Sequence, residues 1–366
     1  MSEPSVPKTS PGNFFEDFRL GQQIRHATPR TITLGDVALY NGLFGARFAV
    51  QSADTFAQKI GYPRSPLDDL LVFHMVFGKT VPDISLNAVA NLGYADCRFL
   101  KPVYPGDTLN AVSEVIGLKE NSNHKTGIVT VRSGGFNQDG DTVLDYARWV
   151  MVRKRDETAP ASQEKVPELP KSVAASQLGA ACPPIDAGAY DTALSGSPHR
   201  FGDYKAGEKI DHVDGVTVEE AEHATATRLY QNTARIHFNQ FAESKGRFGR
   251  RLIYGGHAIS LARALSFNGF GNAFHVAAIN GGRHVAPLFA GLTVFAWSEV
   301  LATAELPGRK DVGALRLRTI ATKDHPCVDF PYKVHARAGR GPDPGVGDEY
   351  DPAVILDLDY WVLMPR

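Results

Sequence analysis

The 366-residue chain holds two copies of one long pattern, and this duplication constrains its fold more than any other feature. One copy reads FEDFRLGQQIRHATPRTIT from Phe15, and the other reads FGDYKAGEKIDHVDGVTVE from Phe201. Phe15 pairs with Phe201, Asp17 with Asp203, Gly21 with Gly207, Ile24 with Ile210 and His26 with His212, all at one spacing. A second block follows in each copy, LKPVYPGDTLNAVSEV from Leu100 and VAPLFAGLTVFAWSEV from Val285, which matches Pro102 to Pro287 and Glu114-Val115 to Glu299-Val300. A third closes each copy, LDYARWVMV from Leu144 and LDLDYWVLM from Leu356. Solenoid units are only ~20–50 residues long, so a repeat of this size is a whole domain. We place one domain at 12–155 and the other at 199–366. The segment 156–198, rich in Pro, Ala, Ser and Gly and without strong periodicity, reads as a linker.

Each copy opens on a loop and a short strand, followed by a helical stretch. In the first copy that helix follows Thr33-Leu34-Gly35-Asp36; in the second, Thr217 to Glu222 places acids in a first turn. Next comes LLVFHMVFG from Leu70, or HAISLARAL from His257, apolar on almost every side and therefore expected to be buried helix. Strand-like runs separated by Gly, Pro and Asp turns span 112–118, 127–133 and 142–152, then 292–302, 313–322 and 353–363. One buried helix followed by antiparallel strands is the hotdog pattern, a sheet wrapped around a helix. The expected fold is α+β, a double hotdog, in which the second copy covers the sheet edge that the first would expose.

Composition excludes several functions. With 43% hydrophobic and 22% charged residues the chain is that of a folded protein. Its 39 basic and 40 acidic residues give a net charge of −1, without the basic excess of a nucleic-acid binder. Cys97, Cys182 and Cys327 form no CxxC pair, which argues against a disulfide framework and a zinc site. There is no run of 18 apolar residues and no apolar N-terminal stretch, so a membrane span and a signal peptide are not expected, and we place the chain in the cytoplasm. Gly281-Gly282 lacks the spacing and lysine of a phosphate loop, and no G-x-S-x-G elbow is present.

The chemistry-bearing stretch is Tyr230-Gln-Asn-Thr-Ala-Arg-Ile-His-Phe-Asn239, followed by Ile253-Tyr-Gly-Gly-His257. These resemble the MaoC-like, or (R)-specific, enoyl-CoA hydratase family, whose signature is roughly G-D-x-N-P-x-H, followed by I-x-H-G at a helix start. The resemblance implies that His237 is the catalytic histidine and that Gly256 supplies an oxyanion-hole N–H. Asn232 stands where the family has its catalytic Asp, and an amide cannot act as a general base. Asn232 would then orient water, leaving proton transfer to His237 or another carboxylate. In the first copy Ala46 and Gln51 replace the Asp and His, and Leu67-Asp-Asp-Leu70 lacks the glycine. By analogy, that half holds the substrate tail. The stretches 67–109 and 230–257 are similar in particular to the mesaconyl-CoA hydratase (β-methylmalyl-CoA dehydratase) group. This implies reversible dehydration of (2R,3S)-β-methylmalyl-CoA, as in the ethylmalonyl-CoA route, with no metal and no cofactor beyond the CoA of the substrate. A homo-oligomer, dimer or higher, is expected of such sheets.

A substrate of this kind carries a free carboxylate, which suits a guanidinium. Arg235, Arg47, Arg283 and His284 are candidates, with Tyr230 and Asn239 as further substrate contacts; sequence does not choose among them. His74 and His257 sit within buried-helix runs and read as structural. His26 and His212 recur in both copies and read as fold residues, and Asp68 and Asp69 read as helix caps. Two other functions use this fold: an acyl-CoA thioesterase, for which neither matched loop keeps an acid, and a non-catalytic acyl-CoA-binding protein.

Overall fold

The computed structural model describes residues 8–159, 163–330, 335–337 and 347–366. In the first half β1 (Gln23–Thr31) leads to α1 (Leu34–Phe44), the short α2 (Ala49–Ser52) and α3 (Asp54–Lys59), and the long α4 (Asp69–Thr80). Four strands follow, β2 (Ala88–Phe99), β3 (Thr108–Glu120), β4 (Thr126–Phe136) and β5 (Thr142–Arg153). A connecting segment carries α5 (Thr192–Ser195). The second half then repeats the plan with β6 (Lys209–Thr217), α6 (Glu220–Leu229), α7 (Arg235–Phe238), α8 (Gln240–Glu243), α9 (Gly255–Leu265) and α10 (Phe267–Phe270). Its strands are β7 (His275–His284), β8 (Thr293–Glu305), β9 (Val312–Lys323) and β12 (Val354–Pro365); a ribbon of β10 (His335–Arg337) and β11 (Gly347–Glu349) precedes the last.

Ten strands form one antiparallel sheet in the order β1-β3-β4-β5-β2-β7-β12-β9-β8-β6. The order is a mirror image about its centre, as a duplicated unit requires. β2 and β7 join the halves, with Tyr94 opposite Gly282 and Cys97 opposite Ile279. Each half curls around its own helix: α4 packs on β1, β3 and β5, and α9 on β6, β8, β9 and β12. This is the α+β double hotdog. The all-round apolarity of the two helices follows from their position, since every residue of α4 after Asp69 is buried, as is all of α9 except Gly255 and Ala264.

Local chemistry starts the helices where the sequence signals them. Thr33 and Asp36 form a capping box at α1, and the Asp68 carboxylate accepts from the Leu70 N–H (2.8 Å) at α4. Asp69, expected as a second cap, instead reaches the other half. It accepts from the Val276 N–H (2.8 Å) and pairs with His275 (2.9 Å), tying α4 to β7. His26 and His212 occupy matching constellations. His26 Nε2 shares a hydrogen bond with Ser113 Oγ (2.7 Å), which meets Ser133 Oγ (2.7 Å); His212 Nε2 meets Ser298 Oγ (2.8 Å), which meets Thr319 Oγ1 (2.6 Å). All lie inside the sheet's curl, so the repeated histidines satisfy buried hydroxyls.

The segment between the halves is more than a tether. Residues 160–162 lie outside the described residues. Beyond them Val173, Leu178, Cys182, Ile185 and Tyr190 are buried in a cluster with Phe274 and Trp361. The Val173 N–H donates to Asn280 and the Ile185 N–H to Asp311 (both 2.8 Å). Its Pro- and Ser-rich composition hid an apolar strap. Among the described residues no helix is long and apolar enough to cross a membrane.

Candidate functional site

A cavity of about 580 Å³, within the ordinary range for small-molecule sites, opens between the two halves. One wall comes from the last turn of α4 with β2 and β5, the other from the loop 232–254, the start of α9 and β7. Neither half could form it alone.

His237 lines this cavity from α7. Its Nδ1 lies 2.9 Å from the Leu252 carbonyl, which can only accept, so Nδ1 carries the proton and Nε2 is left with its lone pair. The ring's position is fixed from both ends. The His237 N–H donates to the Ala234 carbonyl (3.0 Å), and the Leu252 N–H donates to the Ile236 carbonyl (3.0 Å), locking α7 to the strand-like run before α9. The next residues are pinned in turn: the Ile253 N–H donates to the Leu288 carbonyl (3.0 Å) and the Tyr254 N–H to His223 Nε2 (2.9 Å).

That run delivers the N-terminus of α9. Gly255 lines the cavity, and a Cβ there would lie 2.3–2.6 Å from the His284 ring. Gly256 is one residue further in; a Cβ there would meet the Tyr254 ring (2.4 Å) and His74 (2.5 Å). Among the described residues, the Gly255 and Gly256 N–H groups find no acceptor, as expected in a first helical turn, and the helix dipole adds to their pull on negative charge.

Asn232 lines the cavity from the same loop and is buried. Its carbonyl oxygen accepts from the Ala234 N–H (3.2 Å), which leaves its NH₂ as the group available to a ligand. The turn that carries it is built on the other half. A Cβ on Gly78 of α4 would fall 1.7 Å from the Tyr230 carbonyl oxygen, and Gln231 adopts a left-handed backbone (φ 57°) unusual for a side-chain-bearing residue.

The structure separates the other candidates from the cavity lining. Tyr230 is buried beneath the turn, its ring 4.7 Å from that of His74, with its hydroxyl unpartnered. Arg235 turns to Asn87 Oδ1 (2.7 Å) and the Pro11 carbonyl (3.3 Å). Arg47 lies on the Phe267 ring (4.8 Å), and Asn239 caps α8 through the Ala242 N–H (3.0 Å). None of the four lines the cavity: Arg235, Arg47 and Asn239 are turned to protein partners, and Tyr230 is packed beneath the turn. Of Arg283 and His284, only His284 reaches it, meeting the Tyr94 hydroxyl (3.3 Å). Glu243 is the one carboxylate among the described lining residues. Lining residues that sequence reasoning passed over include Arg148 and Asn91, and the cations Arg153, Lys245 and Arg247. His74 and His257 are buried outside the lining; His74 Nε2 binds Ser260 (2.9 Å) within the contact of α4 with α9.

Burial holds many of these groups uncharged. His237, His284 and His212 are pulled down to about 4, His74 and His257 to about 3, and His223 to about 2. In the unfolded chain each would protonate near pH ~6.5. Between that pH and about 4 the unfolded chain therefore binds more protons, so this stability is complete above ~6.5 and is lost as pH falls. Asp68, pushed up to about 6 by burial and by Asp69, acts in the opposite sense, one group against six. The thermal midpoint is expected to hold between pH 7 and 8 and to fall by about 10 °C or more on going from pH 6.5 to 4.5. Thermal melts across that range check this, and a level midpoint would refute neutral burial of these rings.

Comparison with known proteins places these features in context. The profile of the family described as mesaconyl-CoA hydratase matches residues 6–331. A "Beta-methylmalyl-CoA dehydratase" from Chloroflexus aurantiacus is 63% identical over 98% of this chain and 99% of its own length. A "Mesaconyl-CoA hydratase" from Cereibacter sphaeroides is 58% identical over 98% of this chain and 100% of its own length. Among solved structures, a MaoC-domain dehydratase from Chloroflexus aurantiacus superimposes with a TM-score of 0.92 at 62% identity, covering 99% of both chains.

Proposed function

The chain belongs to the mesaconyl-CoA hydratase family, and from that membership we propose that it adds water reversibly across the double bond of mesaconyl-CoA to give β-methylmalyl-CoA. The observation that carries the chemistry is the tethered His237: Nδ1 is committed to the Leu252 carbonyl, and Nε2 is free in the cavity that Gly255 also lines. In the hydration direction the thioester oxygen sits at the start of α9. There the free N–H groups of Gly255 and Gly256 stabilise the negative charge that grows on it as water attacks the β carbon. His237 Nε2 takes a proton from the attacking water, whose oxygen becomes the β-hydroxyl. The same proton is then returned to the α carbon as the enolate collapses, so atoms and charge balance without a net proton. The Asn232 NH₂ positions water by hydrogen bonding. Burial keeps His237 and His284 neutral at physiological pH, so that His237 Nε2 holds its lone pair when water arrives.

Incubating the purified protein with mesaconyl-CoA and following products by mass spectrometry tests the reading. The expected product is the intact CoA ester with one water added. Release of free CoA would replace hydration with thioester hydrolysis, and unchanged mesaconyl-CoA would overturn the substrate.

A further inference from the structure

We infer that Arg148 of β5 is the carboxylate-recognition residue of the cavity, the group that selects CoA esters with a free carboxylate on the β carbon. Arg148 is fully buried and lines the cavity. Among the described residues no Asp or Glu pairs with it. Its Nη2 donates to Thr80 Oγ1 (2.7 Å), its contacts to Ser85 Oγ are long (3.4–3.5 Å), and its Nε–H has no acceptor. Its face rests on the Phe77 ring (4.2 Å). Burial is the main influence on its charge and disfavours it, and the titratable side chains around it, Tyr146, Tyr94 and Tyr254, are themselves pushed up by burial and stay uncharged at physiological pH.

A buried guanidinium without an anion is costly, and proteins ordinarily supply a carboxylate. Other arginines of the sheet have one even at partly exposed positions: Arg132 pairs with Asp145 (2.8 Å), Arg316 with Asp359 (2.6 Å) and Arg318 with Asp357 (2.6 Å). The fold itself does not demand an arginine at this place. In the duplicated block the position of Arg148 is taken by Tyr360, whose hydroxyl simply meets Thr319 Oγ1 (3.0 Å). A second unsatisfied group lies on the same wall. Both amide atoms of Asn91, on the paired strand β2, are buried without partners and Asn91 lines the cavity. An unpaired cation with donors to spare, on the same wall as an unpaired amide, is a receptor for an anionic planar group, and a carboxylate fits the guanidinium's fork.

This inference rests on the hydratase reading for its choice of acyl group, so its test is a binding measurement that needs no turnover. The probes are 2-methylsuccinyl-CoA, the saturated counterpart of mesaconyl-CoA with its methyl on the α carbon, and 2-methylbutyryl-CoA, in which a methyl replaces the carboxylate. Dissociation constants are measured by calorimetry for wild type, Arg148→Met and Arg148→Lys, with melting curves to confirm folding. Wild type is expected to prefer 2-methylsuccinyl-CoA by about 10- to 100-fold, the worth of a charge-assisted hydrogen bond. Arg148→Met should abolish that preference while leaving 2-methylbutyryl-CoA binding within about threefold, and Arg148→Lys should restore part of it. A structural role alone would weaken both ligands alike, and an unchanged preference in Arg148→Met, or no preference in wild type, overturns the assignment. If the preference collapses as expected but wild type does not hydrate mesaconyl-CoA, the carboxylate site stands and the reaction falls.

Discussion

Replacing His237 with asparagine is expected to lower kcat/KM for hydration of mesaconyl-CoA by about 10²–10⁴-fold, the usual worth of a general acid–base group. Asparagine is the informative substitution because its NH₂ can still donate to the Leu252 carbonyl, as Nδ1 does now (2.9 Å), so that α7 stays locked to the run before α9. What it removes is the Nε2 lone pair. Alanine would give the same loss together with an orphaned carbonyl, and a lower thermal midpoint. The pH profile adds an independent check. Burial holds His237 at about 4, so wild-type kcat/KM is expected to stay level down to about pH 5 rather than to titrate near the ~6.5 of a free histidine. Steady-state rates from pH 5 to 8 measure this. An asparagine variant within fivefold of wild type would remove His237 from the chemistry and leave Glu243 or His284 as the base.

Gly78→Ala is expected to cost about 10²-fold or more in kcat/KM, although Gly78 touches no ligand. Its added methyl would lie 1.7 Å from the Tyr230 carbonyl oxygen and 2.8 Å from its carbonyl carbon. Backbone cannot rotate out of the way as a side-chain tip can. The turn bearing Asn232 and leading into α7 must therefore move by more than an ångström, a displacement that costs such a factor when it misaligns catalytic groups. Overpacking adds about 1–3 kcal/mol of lost stability. Gly202→Ala is the control: a Cβ there meets nothing within 4 Å, and both rate and melting temperature should hold. Kinetics and melting of the two variants decide the matter. A fully active Gly78→Ala would mean that the halves do not meet as closely as the geometry requires.

That close approach explains why a half that has lost the signature is still needed. Ala46 and Gln51 stand where the second half keeps Asn232 and His237, and Gln51 is buried with its NH₂ donating to the Phe274 carbonyl (2.6 Å), a structural bond. The first half instead gives the floor under the turn that bears Asn232 through Gly78 and the opposite cavity wall through Phe77, Tyr94 and Arg148.

Much of the architecture was legible because it rests on short-range chemistry. The helix near Thr33, the two largely apolar buried helices and the six strand runs all emerge near their expected places, because side-chain period and capping chemistry act within a few residues. The two strands that join the halves escaped. β2 carries Asn91, Gly93 and Asp96, and β7 carries Asn280 and the pair Gly281-Gly282, a composition poor in strand formers. Close packing explains part of it: a Cβ on Gly93 would sit 2.4 Å from the Trp149 ring, and one on Gly282 3.4 Å from the Tyr94 ring. Glycine there serves a contact with residues far away in sequence, which no local pattern announces.

The sequence by itself determined the duplication, the helix wrapped by sheet in each copy, the loss of the signature from the first copy and the place of His237 in the second, because a repeat and a spaced motif are written in order along the chain. Only the tertiary structure decided which cations and amides reach the cavity. Arg235, Arg47 and Asn239 lie in or beside the signature loops, yet each is turned to a protein partner; of the carboxylate candidates only His284 lines the cavity, together with Arg148 from a strand that read as structural and Asn91 from one that no local pattern announced. The physical reason is that a side chain's direction depends on strand register and on the docking of two halves through β2 and β7, contacts that span nearly two hundred residues and are fixed by the packing of both cores at once.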